Sequence, residues 1–219
     1  MFGLAELIFF ILLFLVVYTY LIYPVVIKLI SLFFPLNSSG YSNHSVSVLI
    51  SAFNEERVIE ERIRNISEQE FDLSLLEVLV GSDGSTDATN ELILKLQQEY
   101  TWLKVFIYKT QRGKAIILND LADKAQNEIL VFTDANTMFN RNSIVKLTES
   151  FSNKTIGGVS GRLILEDLPT SSIKGIKEKD YWEYETFIKK SEGRCGSLIG
   201  ANGGIFAIRK QLYIKMPPN

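Results

Sequence analysis

Apolar positions follow two different patterns along this chain. From Leu7 to Ile27 the residues LIFFILLFLVVYTYLIYPVVI carry no charge, and about 20 apolar residues rising ~1.5 Å each cross the hydrocarbon core of a bilayer. The stretch predicts one transmembrane helix over about 7–27, within an N-terminal anchor of residues 1–36. A secretory signal would open on a basic segment and close on small residues, whereas Glu6 precedes this run and Phe33, Phe34 and Pro35 follow it. Tyr18, Tyr20 and Tyr23 gather toward one end as interfacial anchors, and Pro24 predicts a kink. Lys28 on one flank and Glu6 on the other place the rest of the chain in the cytoplasm, as a single-pass membrane protein, by the positive-inside rule.

After a polar linker, residues 37–45, strand-like and helix-like periods alternate. VSVLISAF (46–53) reads as a strand, and EERVIEERIRNISEQ follows with helical spacing of Val58, Ile59, Ile63 and Ile66. LEVLVGSD is a second strand, and TDATNELILKLQQEY a helix with Thr86 or Asp87 as N-cap. WLKVFIY is a third strand, GKAIILNDLADKAQ a helix opened by Gly113, and EILVFTD a fourth strand before the helix NSIVKLTESF. GGVSGRLILE is a fifth apolar run. Four strand–helix units in succession imply an α/β fold with a mostly parallel sheet and helices on both faces, because parallel strands need crossover connections. Ligands in such sheets bind outside the carboxyl ends of the strands. The polar clusters AFNEE, SDGSTD, QRGK and TDANT fall at those four ends. Glu60, Glu61, Arg62 and Arg64 read as a solvated helix face. Beyond the fifth run, SIKGIKEKDYWEYETFIKKSEG has helical spacing with aromatics on one side, as an interfacial helix or one packed on the domain core.

Composition narrows the class. With 219 residues, 47% of them hydrophobic, the chain can bury a full core. A net charge of -2 and a pI near 5.6 give no footprint for nucleic acid. The single cysteine, Cys195, cannot form an intrachain disulfide, and the single histidine, His44, reads as solvated. A zinc site of the His/Cys kind lacks its ligands.

The polar clusters suit a metal-bound nucleoside diphosphate. Asp83 and Glu55 offer acceptors to ribose hydroxyls or a uracil N3–H. Lys114, beside Gly113 at a helix start, joins an ammonium to helix-terminal N–H groups, a combination that favours phosphate. Asp134 supplies a hard oxygen for Mg²⁺ or Mn²⁺. Taken singly, each residue also has a structural reading: Asp87 as a helix cap, Asp83 as a turn residue, Lys114 as a surface lysine. GSDGSTD has the wrong glycine spacing for either a G-x-x-x-x-G-K-[ST] phosphate loop or a G-x-G-x-x-G dinucleotide turn.

VSVLISAFNEE, VLVGSDGSTDATNELI, RGKAIILN, VFTDANTMF and GANGGIFAIRK occur in the order, and at about the spacing, of the family 2 glycosyltransferases with a GT-A fold. The chain resembles that family from Val46 to about Tyr213. The resemblance implies a Rossmann-like GT-A domain over 46–219 and transfer of a sugar from a nucleotide-sugar donor, commonly a UDP-sugar, with inversion. With the membrane helix in front, it is similar to the branch that builds cell-surface polysaccharides on glycan or lipid-linked acceptors, alongside other synthesis subunits. By position, Ala52, Phe53 and Glu55 would line base and ribose, Asp83 would read uridine and Lys114 would reach the diphosphate. Asp134 and Asn136 stand at the family's metal-binding D-x-D, with an amide in place of the second acid. Gly200, Ala201, Asn202 and Gly203 match the loop beside the acceptor sugar, where glycine permits close approach. The family's general base comes from an acidic motif after FAIRKQLY, so it is expected beyond Asn219 and the domain is expected to be incomplete at its C-terminus. Glu183 and Glu185 read as surface or acceptor-side acids. The alternatives are an inactive nucleotide-binding fragment or scaffold in a glycan-assembly complex, and a polyprenyl-phosphate glycosyltransferase.

Overall fold

The structure, a computed structural model, describes residues 3–34, 40, 44–162, 164, 173–196, 200, 201 and 203–217. The chain divides into two compact units, one of residues 1–37 and 164–200, the other of 38–163 and 201–219.

The second unit is built on the apolar runs. β1 (Val46–Ala52), β2 (Leu76–Asp83), β3 (Leu103–Tyr108) and β4 (Ile129–Asp134) pair in parallel in the order β3-β2-β1-β4. Strands covered on both faces need apolar side chains on both, and β2 is accordingly buried along its whole length. The crossovers are α3 (Ile59–Ser67), α4 (Thr89–Glu99) and α5 (Lys114–Lys124). Alternate β1 residues sort to the two faces. Val46, Val48, Ile50 and Ala52 meet α3, α4 and α6 (Ser143–Glu149), while Leu49 meets Ile117, Leu118 and Leu121 of α5. The fifth apolar run contributes only a short strand, β5 (Gly158–Ser160). It pairs antiparallel with β6 (Ile205–Arg209), which pairs antiparallel with β4 and extends the parallel sheet.

Two readings of polar residues are corrected here. Arg62, taken as part of a solvated helix face, is fully buried, whereas its neighbours Glu60 and Arg64 form an exposed i,i+4 pair. His44, taken as solvated, places Nδ1 2.7 Å from the Glu128 carboxylate and Nε2 3.1 Å from the Phe151 carbonyl. The same Glu128 pairs with the buried Arg209 at 3.0 Å.

In the first unit, α1 (Leu4–Val17), a π-helical turn (Tyr18–Ile22) and α2 (Tyr23–Ser31) run on as one 28-residue helix long and apolar enough to cross a membrane. The π turn ends two residues before Pro24. Proline has no N–H to give to the carbonyl four residues earlier, and its ring crowds that carbonyl. The carbonyl is that of Tyr20, and it accepts instead from the Tyr184 hydroxyl at 2.8 Å. Tyr184 belongs to α7 (Ile173–Arg194), which packs on α2. The Tyr23 hydroxyl donates to Glu192 of the same helix at 2.5 Å. The aromatic segment therefore finds its partner in the apolar helix.

At the amino ends of the strands, the Glu77 carboxylate accepts from Ser47 at 2.5 Å, from Lys104 at 2.6 Å and from the Gln126 N–H. Burial pushes this carboxyl up, but the three donors overcome it and hold the group below its ordinary value of 4.5. A depressed carboxylate contributes stability above its unfolded-state pKa and loses it as pH falls through the folded-state value. Glu77→Gln should therefore cost roughly 1.5–3 kcal/mol at pH 7, the range for hydrogen bonds to a charged group. Denaturant unfolding followed by tryptophan fluorescence should show the gap closing as pH drops below 4.5; a gap independent of pH would contradict this account.

Candidate functional site

The chain reverses direction across the sheet after β3, because α5 returns it past β2 and β1 to place β4 on the far side of β1. Loops on either side of such a reversal part and leave a crevice at the carboxyl ends of the strands. Ala52 ends β1 and is buried, and Phe53 beside it is 42% exposed. Asn54 adopts φ 55°, a left-handed conformation that asparagine tolerates better than most residues. There its side-chain oxygen accepts from Thr86 N–H at 2.8 Å, and its own N–H donates to Ser85 at 3.1 Å. Glu55 N–H donates to Thr89 at 2.8 Å, Glu56 N–H to Asp87 at 3.2 Å, and Ala88 N–H to Glu56 at 3.0 Å. Asp87 also accepts from Thr89 N–H at 3.0 Å, at the start of α4. Donors of one loop meet acceptors of the other, so these two loops form one hydrogen-bonded edge.

Asp83 closes the next loop. Its carboxylate is buried and accepts from Arg112 N–H at 2.6 Å and Gly113 N–H at 2.8 Å, one oxygen to each. Each oxygen keeps a further lone pair. Those two bonds bring Lys114, the first residue of α5, to the crevice, where its ammonium pairs with Asp134 at the end of β4. Glu55 is half-buried. Burial pushes its carboxyl up, and the negative charges of Asp134 and Asp87 push it further. Asn136 is exposed two residues beyond Asp134. Lys114, Asp134, Phe132, Gly203, Phe206 and Met216 are among the residues around a cavity of about 410 Å³. Gly200 and Ala201 are exposed, and Asn202 lies outside the described residues.

Sequence reasoning missed Arg62 and Thr133. Arg62 donates to the Thr133 hydroxyl at 3.1 Å, and that hydroxyl donates to the Gly204 carbonyl at 2.9 Å. Burial pushes the Arg62 guanidinium down to about 9, opposed by the charge of Asp134. A signal was present: with Ile59, Ile63 and Ile66, position 62 completes an i, i+3, i+4, i+7 stripe, so its side chain points inward.

The donor set fits a hard divalent cation in one respect. Among the described residues no three of His, Cys, Asp and Glu gather into a closed cage. What remains is one terminal carboxylate, Asp134, with Glu55 and the Asn136 amide near it in the crevice loops. Such a site would need oxygens from the ligand itself to complete a coordination shell, which is the usual arrangement for Mg²⁺ on nucleotide phosphates.

Residues 47–216 match glycosyl transferase family 2. Over 172 residues the chain is 27% identical to the poly-beta-1,6-N-acetyl-D-glucosamine synthase of Staphylococcus epidermidis, covering 78% of this chain and 40% of that protein. Over 119 residues it is 32% identical to the beta-monoglucosyldiacylglycerol synthase of Nostoc sp., covering 53% of this chain and 25% of that protein. The chain thus spans well under half the length of these relatives. In fold it is similar to the mannosyltransferase PcManGT from Pyrobaculum calidifontis, solved in complex with GDP-Man and Mn²⁺. The TM-score is 0.74 at 23% identity, covering 89% of this chain and 54% of that one. The fold is the GT-A fold that the sequence motifs imply.

Gly84, at φ 71°, leaves no room for a side chain. A Cβ there would sit 2.7 Å from Gln111 N and 2.9 Å from the Thr110 carbonyl carbon, both backbone atoms of the loop that Asp83 holds. Gly84→Ala should cost roughly 1–3 kcal/mol from the backbone conformation, with the clash in addition. Faster proteolysis confined to residues 109–113 should accompany it; a variant as stable and as resistant as the parent chain would refute this reading of the loop.

Proposed function

The chain belongs to glycosyl transferase family 2, and from that premise we propose that it binds a UDP-sugar at the crevice beside β1. We propose further that the protein passes the sugar, with inversion, to a glycan or lipid-linked acceptor in cell-surface polysaccharide synthesis. The observation that carries the proposal is the Lys114–Asp134 pair at the carboxyl edge, with Glu55 alongside and a cavity next to it. An ammonium and a carboxylate already paired there can exchange partners. The lysine can turn to a diphosphate oxygen while the carboxylate turns to a cation, so neither charge loses its counter-ion.

On this reading the exposed face of Phe53 stacks on the base, with Ala52 beneath it and Glu55 at the ribose. Asp83 holds the Arg112–Gly113 backbone in place and has lone pairs left for uridine. Lys114 binds the diphosphate, helped by the free N–H groups at the start of α5. Asp134, with Asn136 as a neutral oxygen donor, would hold Mg²⁺ or Mn²⁺, which offsets the charge developing on the leaving diphosphate. We assign the acceptor side to Gly200, Ala201, Asn202 and Gly203. Among the described residues of 46–217 we assign donor binding and no general base. The helix Leu4–Ser31 anchors the protein in a membrane, and Lys28 on its flank favours a cytoplasmic catalytic domain. That side of the membrane is where soluble sugar nucleotides and lipid-linked acceptors meet.

Isothermal titration of the detergent-solubilised chain with UDP and with GDP, each with and without Mn²⁺, tests the proposal. UDP should be preferred, and Mn²⁺ should tighten it by roughly 10- to 100-fold, the range seen when a metal site is complete or impaired. Asp134→Ala should abolish that gain while leaving the fold intact. Binding that ignores both Mn²⁺ and Asp134→Ala, or no nucleotide binding at all, would overturn the proposal.

A further inference from the structure

Asp134 ends β4 and Asn136 follows it on the loop 135–142 that leads to α6, and two residues of α3 bond to this segment. Arg62 donates through Nη2 to Thr133 at 3.1 Å and through Nη1 to the Asn65 side-chain oxygen at 2.9 Å. That Asn65 oxygen also accepts from Phe139 N–H at 2.7 Å, and the Asn65 amide donates to the Phe139 carbonyl at 2.9 Å. The guanidinium lies 3.9 Å from the centre of the Phe139 ring. Arg62 therefore holds the residue just before Asp134, Asn65 holds both backbone groups of Phe139 within the loop, and the two side chains are bonded to each other.

We propose that Arg62 and Asn65 are positioning residues, a two-point clamp that sets the loop of Asp134 and Asn136 from beneath. The inference rests on the donor-binding reading and extends it to residues that touch no ligand. Packing alone does not account for an arginine here. Position 62 lies on the apolar stripe of α3 and has no accessible surface, and its Nε is buried without a hydrogen-bond partner. An incompletely bonded buried cation is costly, and an apolar side chain of similar length serves such a site as well or better for stability. Arg209, also buried, differs in this respect: its Nε bonds the Ile156 carbonyl, and its two Nη atoms reach Glu128, Phe151 and Asn153. The clamp reaches further through Thr133. A hydroxyl has one proton to give, and Thr133 gives it to Gly204 while accepting from Arg62. The strand end that carries Asp134 is thereby tied to the residue after Gly203.

Hydrogen–deuterium exchange of the full chain in detergent, with thermal unfolding and Mn²⁺-dependent UDP titration on the same samples, tests the clamp. Arg62→Met and Asn65→Ala should each speed amide exchange in residues 134–139 by about tenfold, the equivalent of roughly one hydrogen bond's net contribution. Peptides from β1 and β2 should be unchanged. Arg62→Met should keep or raise Tm yet lose most of the gain in UDP affinity that Mn²⁺ gives the parent chain. Unchanged exchange in residues 134–139 would overturn the proposal. So would a lower Tm with faster exchange across the whole sheet, because that is a merely structural role. If the parent chain binds no UDP under any condition, the donor-binding reading fails, and the exchange pattern alone still decides the clamp.

Discussion

Parallel pairing of β1 with β2 on one side and β4 on the other is the constraint from which the rest of the α/β unit follows. Parallel neighbours cannot be joined by tight turns, so each connection must cross a face of the sheet as a helix. The chain first builds outward to β3 and then returns through α5, on the other face of the sheet, to β4, which leaves a crevice at the carboxyl ends of the strands beside the point of reversal. All four polar clusters end at that edge because all four strands point the same way. The register also explains why Ser51 lies opposite both Ser82's neighbour Gly81 and Asp134, bringing three chain segments level at the mouth of the site.

Within this frame, three buried ionisable side chains fix loops rather than strands. Glu77 ties the amino ends of the strands to Gln126, Asp83 ties β2 to the start of α5, and Arg62 ties α3 to the end of β4. Each loop brings backbone or side-chain polar groups that would be costly to bury unpaired, and each charge meets them with strong, directional bonds. The Asp83 arrangement has a particular consequence for binding. The two N–H groups it holds lie just before Lys114, so the position of the site's one lysine is inherited from a buried carboxylate on another strand.

The unit that contains the long apolar helix shows the same logic applied to a single proline. Pro24 frees the Tyr20 carbonyl, and a free carbonyl in an apolar setting needs a donor. The Tyr184 hydroxyl supplies it, and Tyr23 donates in return to Glu192 of the same helix. The carbonyl that Pro24 leaves without its helical donor is thus a point at which α7 bonds the apolar helix.

By itself the sequence determined the apolar N-terminal helix, the four strand–helix units and the placing of polar clusters at strand ends. These follow from local period: two for strands, 3.6 for helices, and unbroken apolarity for a membrane span. Only the tertiary structure decided that β6 adds antiparallel to β4, that α7 lies on α2, that both Asp83 oxygens face backbone N–H groups, and that Arg62 is buried under the Asp134 loop. Each of these is a pairing between groups far apart in the chain, and local periodicity carries no information about which distant donor meets which acceptor. Arg62 stands between the two cases. Its helical position marked it as inward-facing, but its charge argued for solvent, and the contest was decided by Thr133, Asn65 and Phe139, which reach it only once the sheet has formed.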